Sequence, residues 1–259
     1  MAKSYNQVVL FGDSLFEGAA DVKDGFCFQS ALQVQCNRRL DVVNRGFSGY
    51  NTVNALDLLP QIFLPPSEAT PKIDYLLVLL GANDACIPLP TDTQGVPLSD
   101  YKSNLHKIIT HPYITAHKPK ILLITPPPLD EIKVTEADLA WGHSQATRQA
   151  AVSASYSEAA RQAAAEVPGT VLVDLQKALM EEAIRRTPAY DASKGLPLGY
   201  PGGIRGALET LLPDGLHMSG DAYRVLYDLV QPHVGPFDYD NPDQEYVFPT
   251  WAQLNSGGI

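Results

Sequence analysis

Four short stretches of this chain carry the residue types that acyl transfer needs. They are Gly12-Asp13-Ser14-Leu15 followed by Gly18, Asn44-Arg45-Gly46-Phe47-Ser48-Gly49, Gly81-Ala82-Asn83-Asp84, and Asp214-Gly215-Leu216-His217. A serine hydroxyl is a weak nucleophile until a neighbouring base takes its proton, and imidazole, with an unperturbed pKa of about 6.5, suits that task at neutral pH. His217 is the candidate base for Ser14. Asp214, a few positions earlier on the same tight turn, can reach the second ring nitrogen, hold one tautomer and stabilise the cation. An ester carbonyl under attack becomes an oxyanion, which needs hydrogen-bond donors already aimed at it. The N–H groups of Ser14 and Gly46 and the side-chain amide of Asn83 are the candidate donors.

Several of these residues also admit a purely structural reading. Ser14 in a glycine-rich turn would by itself be read as a helix cap, and only the company of the other three motifs makes it a nucleophile. Asp13 is expected to order the turn, Asp84 to cap the segment after it, and Cys86 to be a small buried apolar group. Gly142-His143-Ser144-Gln145-Ala146 comes close to the Gly-x-Ser-x-Gly elbow of another hydrolase class. That elbow must follow a buried strand, whereas residues 135–141 include Glu136 and Asp138, and Ala146 replaces the closing glycine. His106, His111 and His117 lack the spacing of a metal-binding set and read as surface histidines, so no metal is expected. Neither a Gly-x-Gly-x-x-Gly after a strand nor a Walker A sequence occurs, and no cofactor is expected.

The elements that must position these residues are legible as short apolar runs at 8–11, 41–44, 75–80, 120–125 and 171–175, alternating with longer segments of helical character such as 26–40, 98–109 and 144–166. This order predicts an α/β fold: a three-layer α/β/α sandwich with a mostly parallel five-stranded sheet, wound by right-handed crossovers. In such a sheet ligands bind outside the carboxyl ends of the strands, where the first three motifs fall. With no repeat and no linker, residues 1–259 read as a single domain. Residues 187–206, with three prolines and five glycines, read as a loop. Residues 235–259, with Phe237, Tyr239, Tyr246, Phe248 and Trp251, are too apolar for a disordered tail and should pack on the body.

Composition excludes several function classes. With 29 acidic against 19 basic residues and a net charge of −10, a basic nucleic-acid footprint is not expected. No apolar run approaches the roughly 20 residues that span a bilayer. The polar residues 1–7 are followed by a short apolar run, where a secretory leader needs about 7–15 apolar residues, so the chain reads as cytoplasmic. Three cysteines without a Cys-x-x-Cys pair suit reduced thiols in that compartment.

Taken together, the four motifs resemble those of the SGNH (GDSL-type) hydrolase family. Leu10-Phe11-Gly12-Asp13-Ser14, Arg45-Gly46-Phe47-Ser48-Gly49-Tyr50, Leu80-Gly81-Ala82-Asn83-Asp84-Ala85-Cys86 and Asp214-Gly215-Leu216-His217-Met218-Ser219-Gly220 are most similar to its isoamyl acetate-hydrolysing esterases, and the similarity runs from Val8 to about Trp251. The resemblance implies a flavodoxin-like SGNH fold, with Ser14 as nucleophile, Gly46 and Asn83 completing the oxyanion hole with Ser14, and Asp214 and His217 as the other triad members. It implies hydrolysis of small-molecule carboxylic esters, short acyl esters such as acetates first, through an acyl-serine intermediate. A homodimer is compatible with the resemblance and with the aromatic tail. The same triad serves carbohydrate acetyl-esterases, thioesterases or lysophospholipases, and acyltransferases. A binding module of the same fold would have no reason to keep all five site residues. In the 187–206 loop, which ends shortly before Asp214, Leu198 and Tyr200 are candidate walls of the substrate pocket.

Overall fold

The five apolar runs form strands β1 (Asn6–Gly12), β2 (Leu40–Gly46), β3 (Ile73–Leu79), β4 (Lys120–Ile124) and β5 (Val171–Val173) in a computed structural model that describes residues 4–67, 69–88, 94–191, 193, 195–238 and 246–255. The helices are α1 (Ser14–Glu17), α2 (Phe28–Gln35), α3 (Thr52–Ile62), α4 (Leu98–Ile109), α5 (Pro112–Thr115), α6 (Glu131–Ala140), α7 (Ala150–Glu166), α8 (Leu175–Arg185), α9 (Leu208–Leu211), α10 (Gly220–Val230) and α11 (Trp251–Asn255). The sheet order is β2-β1-β3-β4-β5 and every neighbouring pair is parallel. Gly12 lies opposite both Gly46 and Leu79, so the carboxyl ends of β1, β2 and β3 finish level. That register brings the first three motifs to one edge of the sheet.

Strand side chains alternate between two cores, as the two-residue period requires. Val8, Leu10, Leu77, Leu79, Leu122 and Ile124 face a cluster completed by α1, α2, α8, α9 and α10. Val9, Phe11, Leu76, Val78, Ile121 and Leu123 face a second cluster built with α3, α4 and α7. Both faces of β1, β3 and β4 are therefore buried, which is why these strands read as unbroken apolar runs.

Several segments depart from the sequence reading for identifiable reasons. The helical reading of 26–40 contracts to α2, which is followed by Arg38 at φ 63 before β2 begins. The reading of 144–166 contracts to α7 because its first residues are held extended: Arg148 bridges Cys86, and Ile87 N–H donates to Thr147 O at 2.9 Å. His117 is not a surface histidine. It is 1% exposed, with Nδ1 accepting from Ile73 N–H at 3.1 Å and Nε2 at 2.8 Å from Leu64 O, so both nitrogens serve the fold.

The 187–206 segment holds no helix or strand among its described residues. In the aromatic tail, Tyr246 stacks on the Arg38 guanidinium at 4.2 Å and Phe248 meets Tyr5 edge-on at 5.5 Å, whereas α11 buries none of its residues and Trp251 is exposed. Tyr239 lies outside the described residues. Among the described residues no helix is long and apolar enough to cross a membrane.

Candidate active site

Ser14 is the first residue of α1, and Asp13 caps that helix by accepting from Leu15 N–H at 2.9 Å. Leu15 and Phe16 are fully buried, and Tyr223 of α10 donates its hydroxyl to Leu15 O at 2.7 Å, so this single turn is anchored although it is far too short to be stable alone. Ser14 Oγ lies 2.9 Å from His217 Nε2, and His217 Nδ1 lies 2.7 Å from Asp214 Oδ2. The structure brings these residues together from opposite ends of the chain.

The Asp214–His217 turn is held by hydrogen bonds. Asp214 Oδ1 accepts from the N–H groups of Leu216 at 2.9 Å and His217 at 2.7 Å. Burial pushes the Asp214 carboxyl up, but the His217 ring and these two N–H groups outweigh it and hold the carboxyl well below the usual range. Gly215 O accepts from Asp130 N–H at 2.9 Å, and the buried Asp130 carboxylate is ion-paired with Arg205. Asp130 also caps α6, so the Asp214–His217 turn is tied to the β4–α6 connection.

Gly46 does not have the free donor expected of it. Its N–H donates to Asn44 Oδ1 at 2.8 Å, and a Cβ on it would lie 2.0 Å from Glu17 N, so Gly46 is the close-packing point where the backbone of α1 crosses β2. The neighbouring N–H groups are also committed: Phe47 to Gly12 O, Ser48 to Glu17 Oε2, Tyr50 to Phe47 O and Asn51 to Asn54 Oδ1. Gly49, at φ +82, is the one residue of this stretch whose N–H has no acceptor among the described residues. Its positive φ favours glycine. Sequence reasoning missed Gly49, although it sits in the same motif as Gly46.

Asn83 is 4% exposed and nearly saturated. Its Oδ1 accepts from Arg148 Nη2 at 2.9 Å, and Nδ2 donates one hydrogen to Tyr50 O at 2.9 Å. The second Nδ2 hydrogen and the Ser14 N–H are without acceptors among the described residues. Ser14 N–H, Gly49 N–H and Asn83 Nδ2–H are thus three donors of the first three motifs with no acceptor among the described residues.

Two buried carboxylates lie behind these donors. Asp84 does not cap its own following segment: it accepts from both the N–H and the hydroxyl of Thr52, which joins the β3 end to the start of α3. Burial raises Asp13 to about 7 and Asp84 to about 6, against the hydrogen bonds that lower each. Cys86 is half-buried, and burial raises its thiol. Ser144 of the rival elbow is exposed, and the residues before it form α6, so that elbow lacks its strand. Among the described residues no three His, Cys, Asp or Glu side chains converge as a metal-binding group.

The expected pocket walls take a different place. Leu198 is 1% exposed and belongs to the main core, and Tyr200 packs with Leu129, Val134 and Ala150 beneath α6. Neither lines the cavity of about 360 Å³ that flanks Asp214 and His217, whose other walls include Lys23, Pro213 and Met218. The loop braces the site instead: Gly199 O accepts from Glu131 N–H at 2.9 Å and Arg205 pairs with Asp130.

Comparison with known proteins adds a second line of observation. Residues 10–225 match the model of the GDSL-like lipase/acylhydrolase family. The isoamyl acetate-hydrolyzing esterase of Saccharomyces cerevisiae is 29% identical over 98% of this chain and 97% of its own length. The isoamyl acetate-hydrolyzing esterase 1 homolog of Mus musculus is 32% identical over 68% of this chain and 69% of its own. Among solved structures, the acetyl xylan esterase AlAXEase superposes with a TM-score of 0.63 at 18% identity, over 88% of this chain and 100% of that one. The lipase/acylhydrolase from Enterococcus faecalis does so with a TM-score of 0.56 at 23% identity, over 88% and 95%. At these identities the two structures speak for the fold alone.

Proposed function

The chain belongs to the GDSL-like lipase/acylhydrolase family and is a carboxylic ester hydrolase, and from that premise we propose that it cleaves short-chain acyl esters through an acyl-serine intermediate on Ser14. The observation that carries this reading is the relay from Ser14 Oγ to His217 Nε2 at 2.9 Å and from His217 Nδ1 to Asp214 Oδ2 at 2.7 Å.

In the proposed reaction His217 Nε2 takes the Ser14 proton as Oγ attacks the ester carbonyl, and Asp214 stabilises the imidazolium through Nδ1–H. The carbonyl oxygen, now anionic, is received by Ser14 N–H, Gly49 N–H and the free Nδ2–H of Asn83. His217 then returns the proton to the departing alkoxide. Water repeats the sequence on the acyl-serine, releasing the acid and restoring Ser14. Preference for acetates and similar short chains rests on the likeness to the isoamyl acetate-hydrolyzing esterases.

Hydrolysis of an acyl series from p-nitrophenyl acetate to the dodecanoate, with a Ser14→Ala control, tests the proposal. The expected result is turnover that falls as the acyl chain lengthens and disappears in Ser14→Ala. Turnover unchanged in Ser14→Ala overturns the mechanism. Acyl transfer to an added alcohol in preference to water would make the protein an acyltransferase.

A further inference from the structure

Arg148 belongs to none of the four motifs, yet its guanidinium reaches across the oxyanion donors. Nε donates to Ala82 O at 2.9 Å, and Nη2 donates to Asn83 Oδ1 at 2.9 Å and to Gln94 Oε1 at 3.2 Å. Gln94 in turn donates Nε2 to Gly49 O at 2.9 Å. The reach depends on the extended segment before α7, where Arg148 pairs with Cys86, and α7 itself is placed by Glu131 Oε2 accepting from Ala150 N–H at 2.7 Å.

Two physical consequences follow for Asn83. The terminal torsion of an asparagine is broad, so an amide held only at Tyr50 O would swing, and its free N–H would lose its aim. A planar guanidinium that bonds both the preceding carbonyl and the amide oxygen fixes that torsion, which a lysine ammonium cannot do with the same geometry. A positive donor on Oδ1 also draws electron density from the amide nitrogen, which makes the remaining N–H a stronger donor.

We infer that Arg148 is a positioning residue of the oxyanion hole: it orients and polarises the Asn83 amide and, through Gln94, steadies the Gly49–Tyr50 peptide that adjoins the Gly49 donor. The inference rests on the ester-hydrolysis reading. A lone surface arginine would bind solvent, whereas this one spends two of its nitrogens on groups of the site.

A double-mutant cycle on p-nitrophenyl acetate tests it, with kcat and KM measured for wild type, Arg148→Ala, Asn83→Ala and the double variant, and a melting temperature for each. Arg148→Ala is expected to lower kcat about 10- to 100-fold with KM within about threefold, because the aim of a transition-state donor is lost rather than substrate binding. In the Asn83→Ala background the same substitution is expected to cost less than about threefold, the remainder that runs through Gln94. Arg148→Lys, which keeps the charge without the fork, is expected to stay closer to Arg148→Ala than to wild type, and it carries the cycle if Arg148→Ala does not fold. Equal losses of kcat with and without Asn83, or a loss confined to KM, overturn the inference. An inactive wild type, or an active Ser14→Ala, would instead overturn the ester-hydrolysis reading itself.

Discussion

At the carboxyl ends of β1 to β3, Asp13 and Asp84 are fully buried and Asn83 is 4% exposed, whereas on the turn between α9 and α10 the side chains of His217 and Asp214 are 41% and 57% exposed. The first region is held by packing against the sheet, with Gly46 crossed by the backbone of α1, and by buried hydrogen bonds at Asp13, Asn83 and Asp84. The second is held by hydrogen bonds, from two N–H groups of its own turn to Asp214 Oδ1 and from Asp130 N–H to Gly215 O. The division matches the work proposed for each. Donors that meet a developing charge are effective when their dipoles are set in advance and shielded from water. A base that passes protons to a leaving group and takes them from water must stay open. If the division is real, damage to the open region should cost rate without stability, and damage to the packed region should cost both.

The largest effect is expected at the relay. Ser14→Ala and His217→Ala should each lower kcat by about 10⁴ or more, since the triad acts as one unit. The melting temperature of His217→Ala should stay within a degree or two of wild type. A large loss of stability in His217→Ala would break the comparison. Asn83→Ala comes next, with kcat lower by roughly 10²–10³ and little change in KM. Thermal denaturation should also show it destabilised, because Arg148 Nη2 loses the Asn83 partner. A pure KM effect would remove Asn83 from the oxyanion hole.

Gly46 and Gly49 sharpen the comparison further. Gly46→Ala forces a methyl group to 2.0 Å from Glu17 N and should cost stability on the order of 1–3 kcal/mol, the range of an overpacked site, as read from denaturant titration. In the phosphonylated enzyme the Gly49 amide proton should move downfield in an NMR spectrum while that of Gly46, bonded to Asn44, stays close to its free position. A shift at Gly46 with none at Gly49 would return the donor role to Gly46.

These two glycines also mark where sequence reading stops. The five strands were legible because β1, β3 and β4 are buried on both faces and so carry long apolar runs, and Ser14 and Asn83 after strands, with Asp214 and His217 on one turn, were legible as candidates because their residue types are what the proposed chemistry needs. Choosing between Gly46 and Gly49, three positions apart, requires knowing which N–H is already taken, and that depends on the Asn44 side chain. Arg148 was invisible for a similar reason, since its contact with Asn83 spans 65 positions and no local pattern encodes it. Leu198 looked like a pocket wall because an apolar residue in a loop near a site has two possible faces. The fold turned it into the core.

The smallest expected effect concerns pH. With Asp13 raised to about 7, the folded chain holds a proton that the unfolded chain releases near an ordinary carboxyl pKa of about 4. The stability from this group is therefore complete below about pH 4 and is lost as pH rises through about 7. Asp84, raised to about 6, acts in the same direction. Asp13→Asn keeps an acceptor for Leu15 N–H but removes the titration, so its melting temperature should fall less between pH 5 and pH 8 than that of wild type. An equal fall would mean that Asp13 is already ionised in the packed region at pH 5.

The most direct test of the whole account is the site of covalent modification by a fluorophosphonate, located by peptide mass spectrometry on wild type and on His217→Ala. The account predicts one modified residue, Ser14, in wild type and strongly slowed modification in His217→Ala, because Nε2 at 2.9 Å is the base that activates the hydroxyl. Modification at Ser144, or modification of Ser14 at the same rate without His217, would contradict it.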